Sequence, residues 1–180
     1  MTSTGEPLPN VTFRKADPGD EPFLRDMLYF ALFVPAGAAP PDRSVVAQPE
    51  LARYVRGWGR RGDDGCIAVT SSGDPVGAAW LRLWSADDRG YGFLDIRTPE
   101  LSVAVRPEFR GRGIGTHLLQ RLLACADVSY DAVSLSVAAD NPAVRLYQRL
   151  GFETVSVGGA STTMRRMSPQ RTQPSRAPFG

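Results

Sequence analysis

The most constraining feature of the chain is a glycine-rich turn that joins a strand-like run to a helix-like run. Residues 101–105 read Leu-Ser-Val-Ala-Val, and the turn after them carries Gly111, Gly113 and Gly115. A helix is predicted over 113–126, because apolar side chains recur there at helical spacing: Ile114, Leu118, Leu119, Leu122 and Leu123. Glycines let the backbone approach a ligand closely, and the free N–H groups at a helix start favour a phosphate. The sequence therefore predicts a phosphate-binding turn.

Two common phosphate motifs do not fit this turn. A Walker A loop needs Gly-Lys-Ser/Thr after four intervening residues, and no lysine stands here, which disfavours a nucleotide-binding phosphotransferase. A dinucleotide fingerprint G-x-G-x-x-G fails from Gly111, where Thr116 takes the last position, and from Gly113, where Leu118 does. A flexible connection with no ligand is the plainer alternative, and the glycines alone leave it open.

The order of predicted elements indicates an α/β fold. Hydrophobic periodicity and turn residues predict strands over 11–15, 66–70, 76–84, 101–105, 132–137 and 152–157, with a further edge strand over 162–167. Helices are predicted from Phe23 to Ala31 and over 49–58, 113–126 and 142–150. Such a series, ending in β-α-β-α-β, predicts helices packed on a mixed sheet.

Two motifs in the second half resemble the GCN5-related N-acetyltransferase (GNAT) family. The first is Arg110-x-x-Gly113-x-Gly115, placed after a strand that exits through Val-Arg-Pro. The second, about thirty residues on, runs from Asn141 through Leu-Tyr147 to Gly-Phe152. The resemblance is specific over residues 100–157. It implies a GNAT-type acyl-CoA acyltransferase fold, with a mixed central sheet of about six or seven strands and about four flanking helices.

The resemblance also implies how acetyl-CoA is held as a co-substrate. The backbone of Val103, Ala104 and Val105 would pair with the pantetheine arm like an added strand, although an ordinary buried strand would look the same in sequence. Backbone N–H groups of the turn would hold the pyrophosphate; these belong to Arg110, Gly111, Arg112, Gly113, Ile114, Gly115 and Thr116. Asn141 would contact the cofactor, or it would cap the helix that follows it. No metal is implied.

Two residues are candidates for the chemistry. Tyr147 matches the position of the family's general acid, which protonates the departing thiolate, but it also shares a helical face with core residues. Glu100 stands where some members carry a carboxylate that deprotonates the amine through water; a solvent-exposed carboxylate at a strand end is the alternative. Asp95 is a weaker candidate from the same region. Four aromatic residues, Trp80, Trp84, Tyr91 and Phe93, are most simply explained by core and loop packing. The resemblance implies that the acceptor site is built from these regions and the apolar passage from Phe33 to Pro41, so some of them would also line that site.

Composition limits the classes of partner. The 21 basic and 19 acidic residues are too balanced for a nucleic-acid surface, and no run of eighteen apolar residues predicts a membrane span. Cys66 and Cys125 lie far apart and predict neither a disulfide framework nor a zinc site; both are expected in the core of a cytoplasmic protein. Residues 11–167 are expected to form one domain, between an extension over 1–10 and a disordered tail over 168–180.

The sequence thus predicts an acetyl-CoA-dependent N-acyltransferase. Its acceptor would be an amine on a small molecule or a peptide, attacked directly in a ternary complex, and the resemblance also suggests a homodimer. The alternative is a non-catalytic regulatory module that binds acyl-CoA without turnover.

Overall fold

The structure is a computed structural model, and it describes residues 10–169. Seven strands are present in this range: β1 Val11–Lys15, β2 Asp64–Thr70, β3 Pro75–Arg82, β4 Glu100–Val105, β5 Ala132–Ala138, β6 Glu153–Gly158 and β7 Ser161–Met167. Four α-helices accompany them: α1 Glu21–Ala31, α2 Pro49–Ala52, α3 Ile114–Ser129 and α4 Val144–Arg149. The predicted mixed sheet with about four helices is therefore confirmed.

The seven strands form one sheet in the order β1-β2-β3-β4-β5-β7-β6. All neighbours are antiparallel except β4 and β5, which run parallel and are in register at a single pair, Glu100 and Ser134. The prediction of an edge strand over 162–167 is wrong. In the structure β7 lies between β5 and β6, and its Thr162 and Met164 are buried, whereas every residue of β6 is exposed. β6 is therefore the edge.

Helices cover both faces of the sheet. On one face α3 buries an apolar stripe against β2, β3 and β5; its buried residues are Ile114, Leu118, Leu119, Leu122, Leu123 and Ala126. On the other face α1 buries Leu24, Met27 and Leu28 together with the segment that follows α2. Cys66 lies in the α3 core as expected. Cys125 is exposed, contrary to the prediction, because it falls outside the stripe of α3 that faces the sheet.

The second helix is shorter than predicted. A helix was expected over 49–58, but α2 ends at Ala52 and turns continue the segment. Two backbone carbonyls of this segment bind a side chain instead of the amides of a continuing helix. The carbonyls of Arg53 and Arg56 accept hydrogen bonds from Nη1 of Arg82, at 2.6 and 2.9 Å. Gly57 then takes a positive φ of 65°, which ends the turn. The segment after α2 still packs against the core, since Tyr54, Val55 and Trp58 are all buried.

The two predicted terminal segments lie almost wholly outside the described residues, 1–10 except for Asn10 and 168–180 except for Ser168 and Pro169. Ser168 does not fit a disordered tail, because it is buried and its hydroxyl donates to the carbonyl of Asp127 at 3.0 Å. Among residues 10–169, no helix is both long enough and apolar enough to cross a membrane.

Candidate active site

A cleft opens where the two parallel strands separate. The amide of Ser134 donates to the carbonyl of Pro99 at 3.0 Å, and beyond the single pair with Glu100 the strands are no longer in register. Along its other edge β4 stays paired with β3 up to Val105. The edge of β4 that faces β5 therefore lacks a strand partner over residues 103–105, and an extended ligand can approach it.

The cleft has a volume of about 1030 Å³ and gathers most of the predicted site. Its lining includes these predicted residues: Val103, Ala104, Val105, Arg110, Gly111, Gly113, Ile114, Gly115, Thr116, Asn141 and Tyr147. Two predicted residues are not part of this lining. Arg112 is exposed, with its guanidinium 5.5 Å from the centre of the Phe109 ring, and Glu100 lies deeper, in an adjoining pocket.

The glycine-rich turn presents unpaired donors to the cleft. Gly111 and Gly113 have positive φ values of 74° and 79°, which turn the chain into α3 at Ile114. Within residues 10–169, the amides of residues 111–116 donate to no other group of the protein. A row of such donors at a helix start, with the positive end of the helix dipole behind it, fits an anionic group such as a pyrophosphate.

Arg110 differs from the other turn residues. Its amide donates to the carbonyl of Pro107 at 3.2 Å, so this N–H, unlike those of residues 111–116, already has a partner within the protein. Its side chain acts as a brace: Nε donates to the carbonyl of Val105 at 3.0 Å and Nη2 to that of Phe30 at 3.1 Å. These bonds tie the turn to the end of β4 and to the end of α1.

Tyr147 stands between the cleft and the adjoining pocket, and it lines both. Its ring packs edge-on against Phe152, with 6.0 Å between the ring centroids. Within the described residues its hydroxyl makes no hydrogen bond, and burial raises the pKa of Tyr147 to about 12. The phenol therefore keeps its proton at neutral pH and offers a free donor to a ligand.

Glu100 is buried, with 3% of its surface exposed, so the alternative of a solvent-exposed carboxylate is wrong. Its Oε1 accepts hydrogen bonds from the hydroxyl of Tyr54 at 2.9 Å and the amide of Gly92 at 2.8 Å. Its Oε2 accepts from Nε1 of Trp84 at 2.7 Å. Burial raises the pKa of Glu100 above its ordinary value, and these three donors offset part of the rise.

The loop between β3 and β4 covers Glu100, and two glycines allow it to do so. A side chain at Gly90 would collide with Oε2 of Glu100, and a Cβ at Gly92 would lie 2.9 Å from Oε1. Tyr91, between them, is 63% exposed, and its ring stacks on Tyr54 with 6.3 Å between centroids. The loop thus buries the carboxylate and leaves an aromatic side chain at the mouth of its pocket.

Sequence reasoning missed the partners of Glu100. Tyr54 is 46 residues away from it, within the predicted helix 49–58, so no local spacing relates the two. Trp84 falls at the end of a predicted strand and Gly92 in the loop after it, and neither position signals a contact with Glu100. The weaker candidate, Asp95, instead caps a turn: its Oδ1 accepts from the amides of Arg97 and Thr98, at 2.8 and 3.0 Å. Asp95 lines neither cavity.

Asn141 forms a side-chain turn ahead of α4. Its Oδ1 accepts a hydrogen bond from the amide of Ala143 at 2.9 Å. α4 itself begins at Val144, later than predicted, with Ala143 at its N-cap and no side-chain cap, so Asn141 is not the N-cap that the sequence suggested. Asn141 also lines the cleft. In the part of the chain that is described, no three His, Cys, Asp or Glu side chains come together as a metal site.

A sequence profile of the acetyltransferase (GNAT) family matches residues 36–152. The chain belongs to the GNAT family. An uncharacterized N-acetyltransferase of Methanocaldococcus jannaschii is 32% identical to it over 120 residues, which are 64% of this chain and 51% of that relative. The GNAT chain described here thus spans about half the length of this relative.

Solved structures share the GNAT fold of this chain. The PaiA N-acetyltransferase of Thermoplasma acidophilum, in complex with coenzyme A, has a TM-score of 0.64 at 18% identity, over 87% of this chain and 98% of that one. The phosphinothricin acetyltransferase of Sinorhizobium meliloti, in complex with acetyl-CoA, has a TM-score of 0.63 at 20% identity, over 93% and 94%.

Proposed function

We propose that this GNAT-family chain transfers an acetyl group from acetyl-CoA to a primary amine by direct attack within a ternary complex. The observation that carries the proposal is the position of Tyr147. Tyr147, whose hydroxyl is unpaired among the described residues, lines both the cleft at the glycine-rich turn and the pocket that contains Glu100. Tyr147, a hydrogen-bond donor for the leaving group, and Glu100, an acceptor for the proton of the amine, therefore line the same pocket.

Two features of the cleft support a site for coenzyme A. The pantetheine arm would run along the unpaired edge of residues 103–105, where its amide groups can bind backbone groups. The amides of residues 111–116 would bind the pyrophosphate, and Asn141, which also lines the cleft, would contact the cofactor. Arg110 would contribute by bracing the turn rather than by its own amide, which Pro107 occupies.

Glu100 would act as the base. An alkylammonium has no lone pair, so it must lose a proton before it can attack the thioester carbonyl. Burial raises the pKa of the Glu100 carboxyl and brings its basicity closer to what a general base needs near neutral pH. In the proposed reaction Glu100 takes that proton through a water molecule, the new carbon–nitrogen bond forms, and the carbon–sulfur bond breaks.

Tyr147 would stabilise the departing sulfur. With a pKa of about 12 its phenol stays protonated, whereas a thiol ordinarily has a pKa of about 8.5. Full proton transfer from the phenol to the thiolate is therefore uphill by about 3.5 pKa units. The hydrogen bond from Tyr147 to the developing thiolate accordingly supplies most of the assistance. As the thiol leaves it gains a proton through Tyr147, and the second proton that the attacking nitrogen loses on forming the amide restores the phenol.

We also propose a cellular location, domain bounds and an assembly state for the protein. The thiols of Cys66 and Cys125 are both free, which suits a reducing compartment, and we propose a cytoplasmic location on that ground. Residues 11–167 would form the catalytic domain. An amine on a small molecule or a peptide would be the acceptor, with no nucleic-acid partner, and the chain would act alone or as a homodimer.

Product formation separates an enzyme from an acyl-CoA-binding module. The protein would be incubated with acetyl-CoA and a panel of small amines, amino acids and peptides, with release of the CoA thiol followed by absorbance and products by mass spectrometry. Thiol release with an acetylated amine supports the transferase. Tight binding of acetyl-CoA with no acetylated product across the panel would support the non-catalytic module.

A further inference from the structure

The charges that line the two cavities restrict the acceptor, and we infer that it carries one amine cation on an otherwise uncharged body. The inference rests on the proposed acetyl transfer and names its substrate class. The cleft has one charged side chain in its lining, that of Arg110, and the adjoining pocket has one, that of Glu100. Among the described residues that line either cavity, no second carboxylate and no second cation is present.

The single carboxylate lies in surroundings that suit one ammonium group. The adjoining pocket has a volume of about 140 Å³, close to that of a cavity known to hold a benzene molecule, about 150 Å³. Tyr54 and Tyr91 form one wall, and an aromatic face attracts a cation. Ser102 and Ser136, both half-buried, add hydroxyl groups that can accept hydrogen bonds from an amine.

A second cation on the acceptor would find no partner in this lining. The wall that α1 and the following chain give to the cleft is apolar, with Phe30, Leu32, Phe33 and Val34. An ammonium group beside these side chains would lose water without gaining a counter-charge, which is costly. Polyamines are therefore poor acceptors for a site of this composition.

A carboxylate on the acceptor would have to compete for its one cationic partner. Among the described lining residues the only guanidinium is that of Arg110, where Nε and Nη2 donate to the carbonyls of Val105 and Phe30. Its remaining donors and its charge lie at the turn that we assign to the pyrophosphate, whose own negative charge would occupy them. The free amides of the turn lie in the part of the cleft that we assign to the pyrophosphate. Free amino acids are therefore disfavoured as well, and the acceptor is an aryl-alkyl or alkyl monoamine.

Two matched pairs of amines test this class in the wild-type protein. Phenethylamine and phenylalanine differ by one carboxylate, and heptylamine and hexamethylenediamine differ by the exchange of a terminal methyl group for an ammonium group. The release of the CoA thiol gives kcat/KM for each amine. We expect it to be at least about ten-fold higher for phenethylamine than for phenylalanine, and for heptylamine than for hexamethylenediamine. Equal or higher values for the diamine or the amino acid would overturn the inference and leave acetyl transfer standing.

A gain of specificity provides a second readout. Ser136→Asp places a new carboxylate on the pocket wall, and Ser136→Asn is the uncharged control of similar size. In the Asp variant we expect kcat/KM for the diamine, relative to heptylamine, to rise about ten-fold, with no rise in the Asn variant. An equal change in both variants would overturn the inference, as would wild-type protein that binds acetyl-CoA by calorimetry yet acetylates none of the four amines. Failure to bind acetyl-CoA would instead contradict the proposed function itself.

Discussion

The hydroxyl of Tyr54 donates a hydrogen bond to Oε1 of Glu100 over 2.9 Å. The same hydroxyl accepts from the amide of Tyr91 at 2.6 Å, so it links the segment after α2, the loop between β3 and β4, and the start of β4. Burial and the neighbouring carboxylate raise the pKa of Tyr54, which keeps its phenol protonated and fixes it as the donor. Glu100 is therefore held in place by groups that are distant from it in sequence.

Tyr54→Phe should shift the pH dependence of the reaction. The Tyr54 hydrogen bond lowers the pKa of Glu100, so its removal raises that pKa further. The acid side of the kcat/KM profile should then move to higher pH, with the largest loss of activity at low pH. Tyr91→Phe, which removes an exposed phenol but keeps the backbone bond, is the matched control. An equal loss at every pH would point to a purely structural role for Tyr54.

Tyr147→Phe should slow turnover without weakening acetyl-CoA binding. Removal of a positioned donor from a reacting group costs about 10²–10⁴-fold in rate, and we expect kcat to fall within or just below that range. Tyr29→Phe is the control, because Tyr29 also lines the cleft but its hydroxyl is engaged with the carbonyl of Pro41 at 2.9 Å. Unchanged kcat in the Tyr147 variant would remove it from the mechanism.

Glu100→Gln should change how stability depends on pH. The pKa of Glu100 is raised in the folded protein above the ordinary value of 4.5, so the native state holds its proton more tightly than the unfolded state. The stability contributed by this group is present below pH 4.5 and is lost as pH rises through the folded pKa. Glu100→Gln has no carboxyl that titrates at this position, so its stability should not fall over this pH range.

Urea unfolding across a pH series measures this effect. The free energy of unfolding of Glu100→Gln, relative to wild type, should rise as the pH increases above 4.5. Glu108→Gln is the control, because it removes one negative charge from an exposed position. A difference between wild type and the Glu100 variant that stays flat with pH would contradict the raised pKa.

Arg82→Ala should destabilise the fold strongly. Arg82 and Asp63 form a two-bonded pair at 2.9 and 2.7 Å, and each side chain is only 1% exposed. Without Arg82 the buried Asp63 carboxylate keeps only the amides of Gly59 and Arg60 and a 4.0 Å contact with Nε of Arg60. Breaking a buried pair of this kind costs about 3–5 kcal/mol in the free energy of unfolding. Asp26→Ala breaks an exposed pair with Arg43 but leaves the guanidinium of Arg43 over the rings of Tyr29 and Phe30, and it should cost at most about 1 kcal/mol. Similar losses in urea unfolding of the two variants would contradict this account.

Much of the second half of the fold could be predicted from local sequence. The strand, turn and helix around Gly113 and the later β-α-β elements have clear hydrophobic periods, and their predicted bounds differ from the observed ones by a few residues at most. Residues 103–105 and 111–116 followed from that local pattern together with the family resemblance, and the structure brings all of them except Arg112 to one cavity.

The errors concern contacts between distant parts of the chain. α2 is short because Arg82, on β3, binds the carbonyls of Arg53 and Arg56. The position of β7 inside the sheet depends on pairing with β5, and a strand's alternation does not say which neighbour it has. Glu100 is buried because the loop with Gly90 and Gly92 folds over it. None of these contacts leaves a signature in local spacing.

The most direct test is calorimetric titration of acetyl-CoA into wild type, Gly113→Glu and Gly73→Glu. Both glycines have positive φ, 79° and 92°, so each variant carries similar backbone strain, but Gly73 lies in the turn between β2 and β3. We expect micromolar binding, roughly 8 kcal/mol, in wild type and Gly73→Glu, and none in Gly113→Glu. Folded wild-type protein that gives no binding heat with acetyl-CoA would contradict the assignment of the cleft and the acetyl transfer built on it.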